Sequence, residues 1–209
     1  LTDSLCGKPV IRFDDSTSGE QDWLLGPLTQ EILGLPESDR TPSGGATFFV
    51  VFRPIAESGG VDEDYIMQFT RNAEGSSLIS LAIDMIEPSG AVENTLSVFF
   101  RNPGGTPVFN WMEQAGAVAD DDVFIASYGF DDSANTGLGE LYASVSGTSL
   151  DDSPIEDQLF YDATGDAGVY IGRAASTTYN WRLSGDIAEI IVYDTALTST
   201  QIAGIEQYL

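Results

Sequence analysis

An all-β sandwich closed by a short C-terminal helix is the fold class this sequence predicts, on three observations. Short β-branched and aromatic segments recur along the chain, punctuated by Ser58-Gly59-Gly60, Pro103-Gly104-Gly105 and Gly137-Leu138-Gly139. Residues 187–193 are mostly β-branched or aromatic and read as a buried strand. Behind that strand, Thr198 and Gln201 stand at capping-box spacing, and Ile202, Ile205 and Leu209 recur on one helical face.

In chain order, strands are expected at residues 10–13, 46–53, 65–71, 78–84, 95–101, 107–112, 123–128, 140–146, 158–161, 169–172 and 185–193. Phe48 to Phe52 is apolar at successive positions, so both faces should be covered and the strand should be central. Thr95 to Phe100 alternates more regularly, which predicts one wetter face. Residues 30–35, bounded by Pro36 and Pro42, read as a short helix or irregular loop. The helix is expected over residues 198–209.

All 209 residues fit a single sandwich domain, residues 1–209, and a 42% hydrophobic content supports a sizeable core. No apolar run approaches the roughly 20 residues a membrane helix needs, so membrane insertion is not expected. The chain does not open on a basic and then apolar leader, and it reads as a mature or excised piece. Cys6 is the lone cysteine, leaving a buried inert thiol or an intermolecular bridge as the two readings.

Charge is the strongest compositional signal. Thirty-three acidic residues face eight basic ones, of which only Lys8 is a lysine, for a net charge of −25. Nucleic acid and anionic membrane are poor partners for such a surface. Two readings of the acidity overlap: a hydrated surface suited to concentrated salt, where self-repulsion is screened, and carboxylates grouped to hold calcium. Both suit a saline, extracellular setting.

The ending Gly185-Asp-Ile-Ala-Glu-Ile-Ile-Val-Tyr193, followed by Ala196-Leu-Thr198 and Ile205-Glu-Gln-Tyr-Leu209, resembles the close of bacterial laminin-G-like domains. Pro9-Val-Ile-Arg-Phe-Asp-Asp-Ser16, residues 47–54 and Val169-Tyr-Ile-Gly-Arg173 resemble further strands of that family, with Asp15 where the family often has glycine, and Asp22-Trp23-Leu24 matches its Asp-aromatic-Leu step after a five-residue insertion. The resemblance implies a concanavalin A-like jelly-roll β-sandwich. It leaves the ligand open, because that fold hosts lectins, adhesion modules, polysaccharide enzymes and structural domains.

Catalysis is not expected. The chain has no histidine, which removes imidazole acid–base chemistry, serine–histidine triads and the histidine–tyrosine pair of the polysaccharide lyases of this fold. Retaining glucanases of the fold carry a Glu-x-Asp-x-(x)-Glu strand with carboxyl groups about 5–5.5 Å apart, and no such run is present. Asp186 and Glu189 have odd spacing, which predicts opposite strand faces, and the family ending implies a structural role for Glu189.

Sugar sites on β-sandwiches combine an aromatic platform with amide, carboxylate or guanidinium groups. Two segments have that mixture: Tyr179-Asn180-Trp181-Arg182, in a loop entering the last hairpin, and Asn110-Trp111, at the end of a strand. The alternative for both tryptophans is a core plug. Calcium is the candidate cofactor, with Asp14, Asp15 and Asp22 around one insertion, and Asp121 and Asp122 in an acidic loop, as its candidate ligands. The resulting expectation is a non-catalytic extracellular recognition or adhesion module whose partner is a glycan or cell-surface polysaccharide. The competing one is a self-assembling structural subunit or decorating domain of a surface layer, filament or virion, stabilised by calcium or adapted to salt.

Overall fold

The computed structural model describes residues 4–5, 7–14, 22–28, 45–55, 64–70, 77–83, 94–101, 109–131, 140–150, 168–175 and 181–209. Cys6 and the segments 30–35 and 158–161 lie outside the described residues. The strands are β1 (Ser4–Leu5), β2 (Lys8–Pro9), β3 (Ile11–Phe13), β4 (Leu24–Leu28), β5 (Ala46–Pro54), β6 (Asp64–Thr70) and β7 (Ser77–Ile83). They continue as β8 (Leu96–Arg101), β9 (Phe109–Gln114), β10 (Phe124–Asp131), β11 (Glu140–Val145), β12 (Thr148–Ser149), β13 (Gly168–Ile171) and β14 (Gly185–Tyr193), and the helix α1 (Ser199–Tyr208) closes the order.

Two antiparallel sheets carry the fold. The first runs β12-β11-β10-β5-β14-β3 and the second β4-β13-β6-β7-β8-β9, with β1 and β2 forming a small ribbon. Inward side chains of both interdigitate: Phe48 of β5 lies 4.8 Å from Phe69 of β6 and stacks on Tyr128 of β10 at 5.0 Å. Each such side chain contributes about 1.5–3 kcal/mol through burial. The architecture is the expected jelly-roll β-sandwich with a short terminal helix.

β5 is central as predicted, hydrogen-bonded to β10 on one side and β14 on the other. Its inward residues enter the main core, while Phe49 on the reverse face meets Tyr193 edge-on at 6.1 Å. β8 departs from expectation. Thr95, Leu96, Ser97, Val98 and Phe99 are all buried, so neither face is wet. The covering is a second apolar cluster on the outer side of the second sheet, described below.

β14 brings a correction. Asp186 pairs with Arg53 and Ile187 with Phe52, but Glu189 pairs with Val51, so Ala188 is an extra residue in a β-bulge. The bulge shifts the alternation by one, and Asp186 and Glu189 share the outer face instead of opposing each other. Both are held in ion pairs. Fully buried Asp186 accepts from Arg12 Nε at 2.8 Å, Arg12 Nη2 at 3.0 Å and Arg53 Nε at 3.0 Å, and Glu189 pairs with Lys8. Burial alone would raise the Asp186 pKa, but the two guanidinium groups override it and hold the carboxyl below its usual range. A carboxylate kept ionised in this way cannot serve as a general acid.

The capping box forms as read: the Thr198 hydroxyl accepts from the Gln201 N–H, and the Gln201 side chain accepts from the Thr198 N–H at 2.9 Å. No α1 side chain is fully buried, and Glu206 ties the helix to the first sheet by accepting from Ser127 and Ser144 at 2.7 and 2.8 Å. A cleft of roughly 610 Å³ remains between helix and sheet, lined in part by Tyr142, Leu197 and Ile202. Among the described residues no helix is long and apolar enough to cross a membrane.

Candidate functional site

Aromatic and guanidinium groups gather on the outer face of the second sheet. Ile66, Phe69, Leu81 and Val98 enter the main core and Tyr65, Ala82 and Phe99 lie on the opposite side, a register shift between Tyr65 and Met67 allowing both Ile66 and Phe69 to turn inward. The outward residues form the second cluster with Ala174. Tyr65 meets Phe99 edge-on at 5.9 Å and stacks on Trp181 at 5.6 Å with 13° between the rings. Trp181 is half-buried: one ring face closes the cluster, and the residue still reaches the surface. Trp181 is thus packed on one side against Tyr65 without being fully buried.

Polar anchors hold the segment that carries Trp181. Gln68 donates to Ser80 Oγ at 3.2 Å and accepts from the Ala175 N–H at 2.6 Å, which fixes the start of the 175–181 connection against the sheet. The Ala174 N–H donates to the Trp181 carbonyl at 2.9 Å and the Leu183 N–H to the Gly172 carbonyl at 3.0 Å, so the two ends of that connection form a short ladder.

A second aromatic group lies on β13 and the start of β4. Trp23 stacks on Tyr170 at 5.7 Å, and the Arg173 guanidinium lies 4.8 Å from the Trp23 ring centroid and 5.8 Å from that of Tyr170. Such stacking is worth about 0.5–1 kcal/mol at exposed sites. Tyr170 pairs with Gln68 and Gln68 with Ser80, so this group shares a face with the Trp181 cluster. Arg173 pairs with Arg182 on the returning segment in an isolated antiparallel backbone bridge.

The sequence-predicted site residues divide as follows. Trp181 lies on this face, and Arg182 beside it pairs with Arg173 through the backbone bridge; Tyr179 and Asn180 fall outside the described residues. Trp111 occupies the register position opposite Phe99 on the edge strand β9, so its backbone position belongs to the same face. Asn110 pairs with Phe100, so its register position belongs to the opposite face. Trp23, Tyr170 and Arg173 were not singled out as site residues. The signal available was an Arg at residue 173 between two aromatic positions, 170 and 181, on either side of a small polar run.

Asp14 and Asp22 are exposed and bracket residues 15–21, which hold Asp15 and lie outside the described residues. Asp121 adopts a left-handed turn conformation with φ 65°, its N–H donating to Pro54 O at 2.8 Å, and the Asp121 and Asp122 side chains are exposed. Among the described residues, no three acidic, histidine or cysteine side chains are grouped to hold a metal ion.

No protein-family model matches the sequence, and no curated protein matches it. Solved structures do match in fold. The SAP-like pentraxin of Limulus polyphemus aligns over 94% of this chain and 81% of its own, with TM-score 0.60 and 12% identity. The CBM40 of the Ruminococcus gnavus IT-sialidase, bound to α2,3-sialyllactose, aligns over 79% of this chain and 84% of its own, with TM-score 0.58 and 12% identity. A botulinum neurotoxin type C structure, from work linking its cell entry to interaction with two ganglioside molecules, aligns over 96% of this chain and 46% of its own, with TM-score 0.62 and 8% identity. Identities of 8–12% carry the jelly-roll fold and nothing finer.

Proposed function

We propose that this domain is a non-catalytic, secreted or cell-surface glycan-binding module of laminin-G-like type. Its recognition surface is the outer face around Trp181, Arg182, Arg173 and Trp23. The observation that carries the reading is the half-buried Trp181, locked flat on Tyr65 beside the Arg173–Arg182 bridge. A ring held in this way offers a fixed apolar plane for a sugar's C–H face, and the neighbouring guanidinium groups supply donors for its oxygens. Sialyllactose and ganglioside recognition by proteins of the same fold is consistent with it. The absence of histidine and the ion pairing of Asp186 and Glu189 weigh against hydrolysis.

Trp181→Ala is expected to abolish retention on immobilised glycans and to cost about 1–3 kcal/mol of stability, less than the roughly 3–5 kcal/mol of a fully buried ring. Trp181→Phe should restore most of the stability and only part of the binding. Glycan arrays and thermal melts check both. A Trp181→Ala domain that stays folded and binds its glycans as wild type does would sink the proposal.

The acidic surface is proposed to serve a saline setting, with calcium taken in the insertion bracketed by Asp14 and Asp22. Screening of the −25 net charge should raise the melting temperature smoothly as sodium chloride approaches molar levels. Millimolar calcium at constant ionic strength should raise it further, reversibly with chelator, because a ligand of the folded state stabilises it. A melt that responds to salt but not to added calcium removes calcium from the proposal.

A further inference from the structure

We propose that the cleft between α1 and the first sheet binds a small organic amine, with its primary ammonium group at Glu206 and its apolar body along Tyr142, Leu197 and Ile202. This second site is independent of the glycan-binding reading. Tyr128, Leu141, Ala143 and Val145 enter the main core, so strand alternation leaves Ser127, Tyr142 and Ser144 on the outer face of the first sheet. That face lies on the side of the sandwich opposite Trp181.

The cleft has the size and the fixed walls of a small-molecule site. Its volume of roughly 610 Å³ falls within the range of about 300–1,000 Å³ usual for such sites. The Tyr142 hydroxyl donates to Ala46 O at 3.1 Å and contacts the Thr47 hydroxyl. Thr47 Oγ1 in turn accepts from the Leu197 N–H and donates to Thr195 O, each at 2.9 Å. One anchor therefore sets both the tyrosine ring and the entry to α1. Gly147, Ala196 and Ala203 add little side-chain volume, which leaves the space open and α1 without a fully buried side chain.

Charge and hydrogen bonding select the ligand. Asp131, Glu140 and Glu206 line the cleft, and among its described lining residues there is no lysine or arginine. Residues 132–139 and 151–167, which continue the chain from that lining, contain none in sequence either. Glu206 is half-buried, and among the described residues its partners are two serines and no cation. Ser127 Oγ and Ser144 Oγ lie 2.7 Å apart, and they lie 2.7 and 2.8 Å from the same Glu206 Oε1. Two hydroxyl hydrogens serve these three contacts, and a carboxylate brings none. An ammonium group supplies three further donors and a charge to match, and hydrogen bonds between charged partners are the stronger kind. The apolar walls, and the lack of three grouped metal-ligating side chains among the described residues, favour an organic cation over a metal ion.

The test is calorimetric titration of the whole domain with 4-phenylbutylammonium, the alcohol of the same skeleton and the N-trimethyl ammonium. The primary amine is expected to bind about tenfold tighter or more than either, the yield of one hydrogen bond to a charged group. Glu206→Gln, which can still accept from the serines, should erase the preference over the alcohol. Asp120→Asn removes the same charge from an exposed position outside the cleft and should bind as wild type does. Ala203→Phe fills the cleft from an exposed position on α1, and it should abolish binding while the melting temperature is kept. Equal binding of amine and alcohol overturns the inference, as does wild-type binding by Ala203→Phe. Equal losses in Glu206→Gln and Asp120→Asn overturn it in favour of diffuse attraction by the net charge. Equal binding of the primary and trimethyl ammonium ions overturns the hydrogen-bonded seat at Glu206. Each of these outcomes leaves the glycan reading at Trp181 standing, because that face is not touched.

Discussion

Asp186→Ala is expected to cost about 3–5 kcal/mol, the usual result of stranding the partners of a buried ion pair. Domains of this kind are stable by about 5–15 kcal/mol in total, so the variant should be unfolded or close to it at ambient temperature. The carboxylate is fully buried and holds Arg12 of β3 and Arg53 of β5 to β14, so one residue ties three neighbouring strands together. Removing a negative charge from a chain at −25 should by itself relieve repulsion, so a loss of stability isolates the local effect. The same site predicts a pH dependence. The folded pKa lies below the unfolded value of about 3.9, so the contribution is fully present above that value and is lost as pH falls through the folded pKa. The gap between wild type and Asp186→Asn in urea titrations should therefore be widest near neutrality and close progressively in acid. A gap that stays constant from neutral pH to below the carboxylate range would show that charge is not what Asp186 contributes.

Gly172→Ala is expected to cost about 2–5 kcal/mol: about 1–2 from placing a side chain in the left-handed region and about 1–3 from overpacking. Gly172 has φ 80°, and an added Cβ would collide with the ring of Phe13, which is buried in the main core. Gly116 is the control. It has φ 68° with nothing within 4 Å of an added Cβ, so Gly116→Ala should show the backbone cost alone. The difference between the two variants in chemical denaturation measures the steric part, and equal losses would refute the collision. Gly172 also starts the ladder that presents Arg173 to Arg182, so residual folded Gly172→Ala should bind glycan poorly.

Local chemistry was enough for much of this fold. The capping box at Thr198 and Gln201 depends on residues three apart, and it forms as read. The apolar run Phe48–Phe52 marks a central strand because no single-sided strand tolerates successive apolar residues. Trp181 and Arg182 stood out as a binding candidate because Tyr179 to Arg182 combines aromatic, amide and guanidinium groups directly after the small polar run Ser176 to Thr178. The Leu24–Leu28 strand was not visible, since Gly26 and Pro27 suppress the strand signal and the pairing with β13 supplies what propensity lacks.

By itself the sequence determined the class of the fold, its acidity and the absence of imidazole chemistry, because composition and short-range periodicity decide these. The tertiary structure alone decided which residues meet. The bulge at Ala188 puts Asp186 and Glu189 on one face, and it arises only in pairing with β5. Gln68 holds Ala175 across 107 positions, and Arg12 reaches Asp186 across 174. The burial of both faces of β8 and the meeting of Arg173 with Arg182 depend likewise on register and covering segments. Alternation along a strand specifies two faces but not which partner lies over each, and that choice is made by the packing energy of the whole sandwich.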